Sequence, residues 1–356
     1  MTVVAYFVHG RGRGHASRAR SIVPHLRANG FDVRVFGGGR AQETLETSPR
    51  FTPARPVMPG SPVRVGRDLA ARLPRDIRRL REHEAQIVVT DGDMPSGLAA
   101  HLVGIPVVAV GHGLLFRHCK VPASLPRLPV LREALNAWSG SIGARRKVVV
   151  HFAPLVPRGA RIRVARPDGL DALSEGPVRD DGFVLAYFRD NDGHEILERV
   201  VRSGRRVLCF GTPQGFGKPA LSRGVELHAP EVDAFRHALT RCSAVVGSAG
   251  SNLISECLAA RKPLLAVHAP RDVEQRLNAK MVEEAGVGIG CNREDVTDAV
   301  IARLLSSGAP RTDAWDAMMD LAPASEAVRE AIDAALDEAT HRRGRVRAML
   351  PLRGRG

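Results

Sequence analysis

With 356 residues, 44 % hydrophobic and 4 % aromatic, the chain has material for two domain cores, and no apolar run approaches the roughly 18 residues that cross a bilayer. An integral membrane protein is therefore not expected, and the start MTVVAYFVHGRGRGH reads as a first strand rather than a secretory signal, so the expected site of action is the cytoplasm. The net charge of +14 is polarised: residues 1–170 carry 27 Lys and Arg against 11 Asp and Glu (+16), residues 171–340 carry 19 against 27 (−8), and residues 341–356 add six arginines and no acid. Such a field draws anionic partners to one side of the molecule, a phospholipid surface or an acidic substrate among them. Nucleic acid is the weaker reading, because no base-reading motif is present and aromatic residues for stacking are few. Cys119, Cys209, Cys242, Cys257 and Cys291 are odd in number and lack a CxxC pair, which predicts reduced small hydrophobes.

In chain order, apolar runs and helical spacing predict a strand over 3–8, a helix over 17–29 and a strand over 32–36, a βαβ beginning. Residues 48–67, rich in Pro and Gly, read as a long irregular loop of the kind that is often functional. A strand over 86–90, a helix over 96–102 and a strand over 106–111 continue the alternation, and a strand over 147–152 closes this half. The second half restarts with strands over 183–187, 206–210 and 244–246, helices over 194–202 and 232–240, and a helical end over 311–340. The fold class that follows is α/β, with two Rossmann-like, doubly wound domains facing across a cleft. Ligands in such sheets bind outside the strand carboxyl ends. The expected division is 1–167, a linker over 168–181, 182–340 with the terminal helices, and a basic tail over 341–356.

Two loops carry candidate chemistry. Gly247-Ser248-Ala249-Gly250 ends an apolar strand and precedes a helix starting near Ser251, so backbone N–H groups can approach a phosphate there. Glu256, one turn and a half along, would repel a phosphate but reaches sugar hydroxyls beside it, and Glu274 and Gln275 follow the next strand. The pattern suggests a nucleotide-sugar diphosphate. In the first half, His9-Gly10-Arg11-Gly12-Arg13-Gly14-His15 follows the first strand. It is not a dinucleotide fingerprint, since no acid ends the second strand. An imidazole at a strand-to-helix junction projects into the cleft, which makes His15 the candidate general base, with Asp91 or Asp93 placed to fix its tautomer. Asp91-Gly92-Asp93 also spells DxD, but without a further acidic cluster no metal site is expected. His112, after the strand over 106–111, is the candidate acceptor contact, with a structural role the stronger reading, and Arg189 is read either as facing the diphosphate across the cleft or as an exposed surface residue.

The run GSAGSNLISECLAARKPLLAVHAPRDVEQRLNAKMVEEAG, together with the GxGHxxR of Gly12 to Arg18, resembles two-domain glycosyltransferases of the GT-B fold, particularly the lipid II N-acetylglucosaminyltransferase group and related UDP-glycosyltransferases. The resemblance implies that Gly250, Ser251 and Asn252 cradle the diphosphate, Glu256 binds ribose, Glu274 and Gln275 hold the sugar, and Gly14 belongs to a glycine loop lying against the donor. His15 is then the base or an acceptor contact. The implied activity is inverting, metal-independent transfer, without a cofactor, from a nucleotide-sugar donor, UDP-linked, to a hydroxyl acceptor that is lipid-linked or anionic, with peripheral contact to an anionic membrane. Two departures bear on the sugar: Val245-Val246 stands where a His or Trp is usual, and Glu274 where Asp is common. The GxGHxxR loop also resembles a nucleotide-sugar hydrolase of the same fold, the alternative activity.

Overall fold

The computed structural model describes residues 1–10, 13–58, 60–176, 179–189, 193–211, 223–309 and 312–349. The first half holds β1 (Val3–Val8), α1 (Arg13–Ala28), β2 (Asp32–Gly37), α2 (Arg40–Leu45), β3 (Phe51–Pro53), α3 (Pro62–Glu82), β4 (Ile87–Asp91), α4 (Met94–Leu102), β5 (Val107–Gly111), α5 (Leu115–His118), α6 (Arg127–Ser139), β6 (Ala144–Val150) and β7 (Ile162–Ala165). After α7 (Asp171–Ser174) come β8 (Phe183–Tyr187), α8 (His194–Arg202), β9 (Arg206–Phe210), β10 (Val225–His228), α9 (Val232–Arg241), β11 (Ala244–Ser248), α10 (Ser251–Ala259), β12 (Leu264–His268), α11 (Val273–Glu284), β13 (Ile289–Asn292), α12 (Asp298–Ser306), α13 (Thr312–Met319) and α14 (Ala324–Met349).

The strands form two parallel sheets, ordered β3-β2-β1-β4-β5-β6-β7 and β10-β9-β8-β11-β12-β13. Central strands such as β4 and β5 are buried along their whole length, as parallel strands covered on both faces must be. Each sheet reverses direction beside its first strand, so the carboxyl ends of β1 and β4, and of β8 and β11, open a crevice. Apolar packing also continues between the halves, where Leu114, Phe116 and Phe152 share a core with Leu253, Leu277 and Met281. No helix among the described residues is long and apolar enough to cross a membrane. The five cysteines are free, and burial pushes the thiols of Cys209 and Cys242 up to about 12.

Four sequence expectations are corrected. The stretch over 48–67 is not one loop: β3 adds to the sheet edge, and α3 begins at Pro62, capped by Ser61, whose hydroxyl accepts from Arg64 N. The strand expected over 147–152 runs from Ala144 to Val150 and does not close the sheet, because β7 pairs outside it. Part of the linker over 168–181 is ordered as α7, with Leu170 and Leu173 buried. Of the terminal helices, α13 packs on the second half through Trp315 and Met318, but α14 covers the first sheet. Ala324, Ala327, Val328, Ala331, Ile332 and Ala335 of α14 join α1 in covering the first sheet, on Val4, Tyr6, Val108 and Val148.

Candidate active site

The first half of the site grows from two adjacent strand ends. β1 pairs with β4 in a register that sets Val8 beside Asp91, the last residue of β4. α1 starts above them, and His15 turns down so that its Nδ1 lies 2.6 Å from Asp91 Oδ1. One turn later Arg18 grips the same carboxylate at two points, Nε to Oδ2 at 2.8 Å and Nη2 to Oδ1 at 2.6 Å. Spacing of three residues puts both side chains on one helix face, a signal present in GxGHxxR that the sequence reading did not assign to Arg18. Asp91 is fully buried. Burial alone would raise its pKa, but Arg18 and then His15 hold it below the usual carboxylate range. Beneath it, burial and the Asp91 charge push the Tyr6 phenol well above its ordinary value, so that Tyr6 stays neutral. Gly92 sits at φ +72°, and a β-carbon there would lie 3.0 Å from His15 Cε1, so glycine gives the ring room.

Asp93, the other acidic candidate, faces elsewhere. Its Oδ2 accepts from Ser96 N to cap α4 and pairs with Arg72 at 3.1 Å, inside a buried cluster with Asp76. The two carboxylates of the DxD letters are therefore each committed to different cations.

The donor-side loop ends β11. A β-carbon at Gly247 would strike the Tyr187 carbonyl at 2.4 Å and Leu253 Cδ2 at 2.7 Å, which explains the glycine by close strand and helix approach. Gly250 is the cap residue of α10 and has extended backbone with no side-chain cap, so the first N–H groups of the helix, at Ser251 and Asn252, have no intrahelical partner. Arg189 N donates to Ser248 Oγ at 3.0 Å, and its guanidinium donates to Asp272 at 2.6 Å. Arg189 thus stands on the same side of the cleft as the loop, braced against α11, rather than across from it. Asp272 also caps α11 through Gln275 N at 3.0 Å. Gln275 is buried, whereas Glu274 is exposed and its charge reaches Arg18 from the opposite domain.

Between α1 and α10 lies a cleft lined by Ser17, Arg18 and Ser21 on one wall and Asn252 and Glu256 on the other, with Arg236 and Asp168 also in its lining. Gly14 is exposed on the first turn of α1, with open space where a side chain would be. Glu256 keeps 20 % of its side chain exposed and has Arg236 Nε at 3.6 Å. Burial raises its pKa above 4.5, and Arg236 only partly offsets this. His112 takes the structural role rather than the acceptor contact. It is buried, and both ring nitrogens face partners inside the protein, Val150 O and Asn278 Oδ1, so it is not placed to touch an acceptor.

Residues 163–307 match the family described as Glycosyl transferase family 1, and residues 12–151 match Glycosyltransferase Family 4. The two matches meet across the cleft, one contributing α10 and the other α1. The chain is a glycosyltransferase of the GT-B fold. This glycosyltransferase is 27 % identical over 362 residues, 92 % of its own length and 87 % of the other's, to the UDP-N-acetylglucosamine--N-acetylmuramyl-(pentapeptide) pyrophosphoryl-undecaprenol N-acetylglucosamine transferase of Mycobacterium avium. It is 24 % identical, over 65 % of its length and 70 % of the other's, to an uncharacterised glycosyltransferase of Methanopyrus kandleri. Among solved structures it shares its fold with Acinetobacter baumannii MurG (TM-score 0.63, 16 % identity, 94 % and 100 % of the two chains). It shares it also with CalG4, the calicheamicin glycosyltransferase (TM-score 0.66, 17 % identity, 94 % and 98 %).

Proposed function

We propose that this glycosyltransferase moves a sugar, with inversion and without a metal, from a UDP-linked donor lying against α10 to a hydroxyl of a lipid-linked acceptor. The observation that carries the mechanism is the contact of His15 with buried Asp91 opposite the uncapped start of α10. Asp91 takes the Nδ1 proton of His15 as a hydrogen bond and so leaves Nε2 free to accept the proton of the acceptor hydroxyl. Arg18 keeps Asp91 ionised, which fixes that tautomer and favours the imidazolium that forms. As the acceptor oxygen attacks the anomeric carbon from one face, the diphosphate leaves from the other toward the N–H groups of Ser251 and Asn252, where the helix dipole stabilises its charge. Glu256 accepts hydrogen bonds from ribose, and Glu274 and Gln275 hold the sugar. The relatives' names support a UDP-sugar donor and a pyrophosphoryl-lipid acceptor. His15→Ala is expected to lower turnover by about 10²- to 10⁴-fold with UDP affinity unchanged. The assay is UDP release on addition of acceptor, and turnover near the wild-type rate, or release that ignores the acceptor, overturns the reading.

On the acceptor side the partner we propose is an anionic lipid surface, at the inner face of the membrane. α6 exposes Leu128 (79 %), Leu131 (58 %), Leu135 (58 %) and Trp138 (53 %). At 100° per residue these four lie within about 80° of arc, with Arg127 and Arg132 on the two flanks. An apolar stripe between cations suits the acyl and phosphate layers together. The helix ends at Gly140, where a β-carbon would lie 3.4 Å from Gly92 Cα, beside His15, so the stripe leads to the site. Replacing Leu131 and Leu135 by Glu is expected to abolish co-sedimentation with phosphatidylglycerol vesicles. Unchanged sedimentation removes α6 from the surface.

A further inference from the structure

His112 and Asn278 come from opposite halves of the chain and meet behind the cleft. His112 follows β5, the neighbour of β4, so it shares a sheet edge with Asp91. Its Nε2 lies 2.8 Å from Asn278 Oδ1 on α11, Asn278 Nδ2 donates to the Ala249 carbonyl at 2.9 Å, and His112 Nδ1 lies 3.1 Å from the Val150 carbonyl. Because the amide commits its N–H to Ala249, its oxygen faces the imidazole and takes a ring proton. Ala249 immediately precedes Gly250, where α10 opens. A continuous path of hydrogen bonds therefore joins the sheet edge that carries Asp91 to the loop that presents the helix N–H groups.

We propose that His112 and Asn278 are positioning residues for sugar transfer, fastening the donor loop to the N-terminal sheet edge and so setting the distance from His15 to the departing diphosphate. The inference rests on the donor and base assignments above. Apolar contacts between the halves surround this pair, among them Leu114, Leu277 and Met281, and apolar faces slide with little change in energy. Hydrogen bonds do not. His112 is 5 % and Asn278 1 % exposed, so parting them strands buried polar atoms, and one closed alignment is favoured over its neighbours. His151, whose ring centroid is 5.2 Å from that of His112, is wholly buried, and its burial pushes its pKa far down. It stays neutral. Neither His112 nor Asn278 lines the cleft, so each acts through Ala249 and the strand ends rather than on substrate.

The test separates the two ends of the path. In the full-length enzyme His112→Gln is expected to lower kcat by about ten- to a hundredfold, the scale set by misalignment near 1 Å, with UDP affinity by calorimetry unchanged. Asn278→Asp keeps an acceptor for His112 but takes the donor from Ala249, and is expected to weaken UDP binding as well as kcat. The double variant is expected to lose no more than the worse single one, as residues on one path do. Wild-type kcat in His112→Gln, additive losses in the double variant, or kcat losses that follow the folded fraction in thermal melts would overturn the proposal. His15→Ala measured alongside separates the two readings. Turnover that survives it removes the base assignment, whereas its collapse beside an unaffected His112→Gln removes only the fastening role.

Discussion

The two walls of the cleft are built on opposite principles. On the N-terminal wall the charged groups are buried and saturated: Asp91 accepts from Arg18 twice and faces His15, and Arg72 ties Asp76 to Asp93 one loop away. On the C-terminal wall the polar groups are left underemployed, with α10 uncapped and Glu256 no closer than 3.6 Å to Arg236. A base must hold one geometry through the reaction, so it is preorganised before substrate arrives. A donor site must exchange its own contacts for those of a ligand, and contacts that are weak in the free protein are cheaply replaced.

The contrast can be broken most strongly at Arg18. Arg18→Ala leaves Asp91 buried without its main counter-charge and is expected to cost about 3–5 kcal/mol of stability, read as a lowered denaturation midpoint, along with most of the turnover. A variant as stable as the wild type would show that the N-terminal wall is not held by this pair. Glu256→Gln tests the other wall. It is expected to weaken UDP by about tenfold, the scale of a hydrogen bond to a charged group, and to raise stability slightly at neutral pH. The sign follows from the raised pKa. A carboxyl that holds its proton more tightly when folded contributes stability below its unfolded pKa and loses it as pH rises through the folded value, so its removal helps above that value. For the same reason UDP affinity in the wild type is expected to fall on acidification at a pH above 4.5. An affinity flat through that range would remove Glu256 as an ionised ligand. The smallest expected effect is none at all: a chelator should leave turnover unchanged, since Asp91 and Asp93 are committed to Arg18 and Arg72. A rate restored only by a divalent ion would require both pairs to open.

Much of this contrast was legible in the residues. Strand ends and small-residue loops are local patterns, and they pointed to His15, Asp91 and the α10 start without tertiary information. The choice between Asp91 and Asp93 was harder, because the two lie two residues apart at one strand end; Asp91 closes β4, whereas Asp93 caps α4 and joins the Arg72 cluster on α3. That helix was itself hidden: it carries seven arginines, and its buried positions include Arg72 and Asp76, so apolar periodicity underestimates it. β7 was missed for a similar reason, as Arg163 alternates with Ile162 and Val164 on an edge strand. The partner of His112 was not legible, because a histidine after a strand looks the same whether it meets solvent or a partner domain, and Asn278 lies 166 residues away.

The return of α14 to the first sheet has a mechanical consequence. The chain passes between the halves twice, and the two passages lie side by side, with Arg166 N donating to Ala322 O and Ala324 N donating to Arg166 O. A joint with one strand swivels freely, whereas one with two adjacent strands behaves like a door on two pins, which swings about one axis and resists torsion. The cleft can then open and reclose on the same line, returning α10 to His15 after each product leaves. The same arrangement makes the first sheet depend on the last helix, so a chain cut before Ala324 would lose a face of its N-terminal core as well as its second pin.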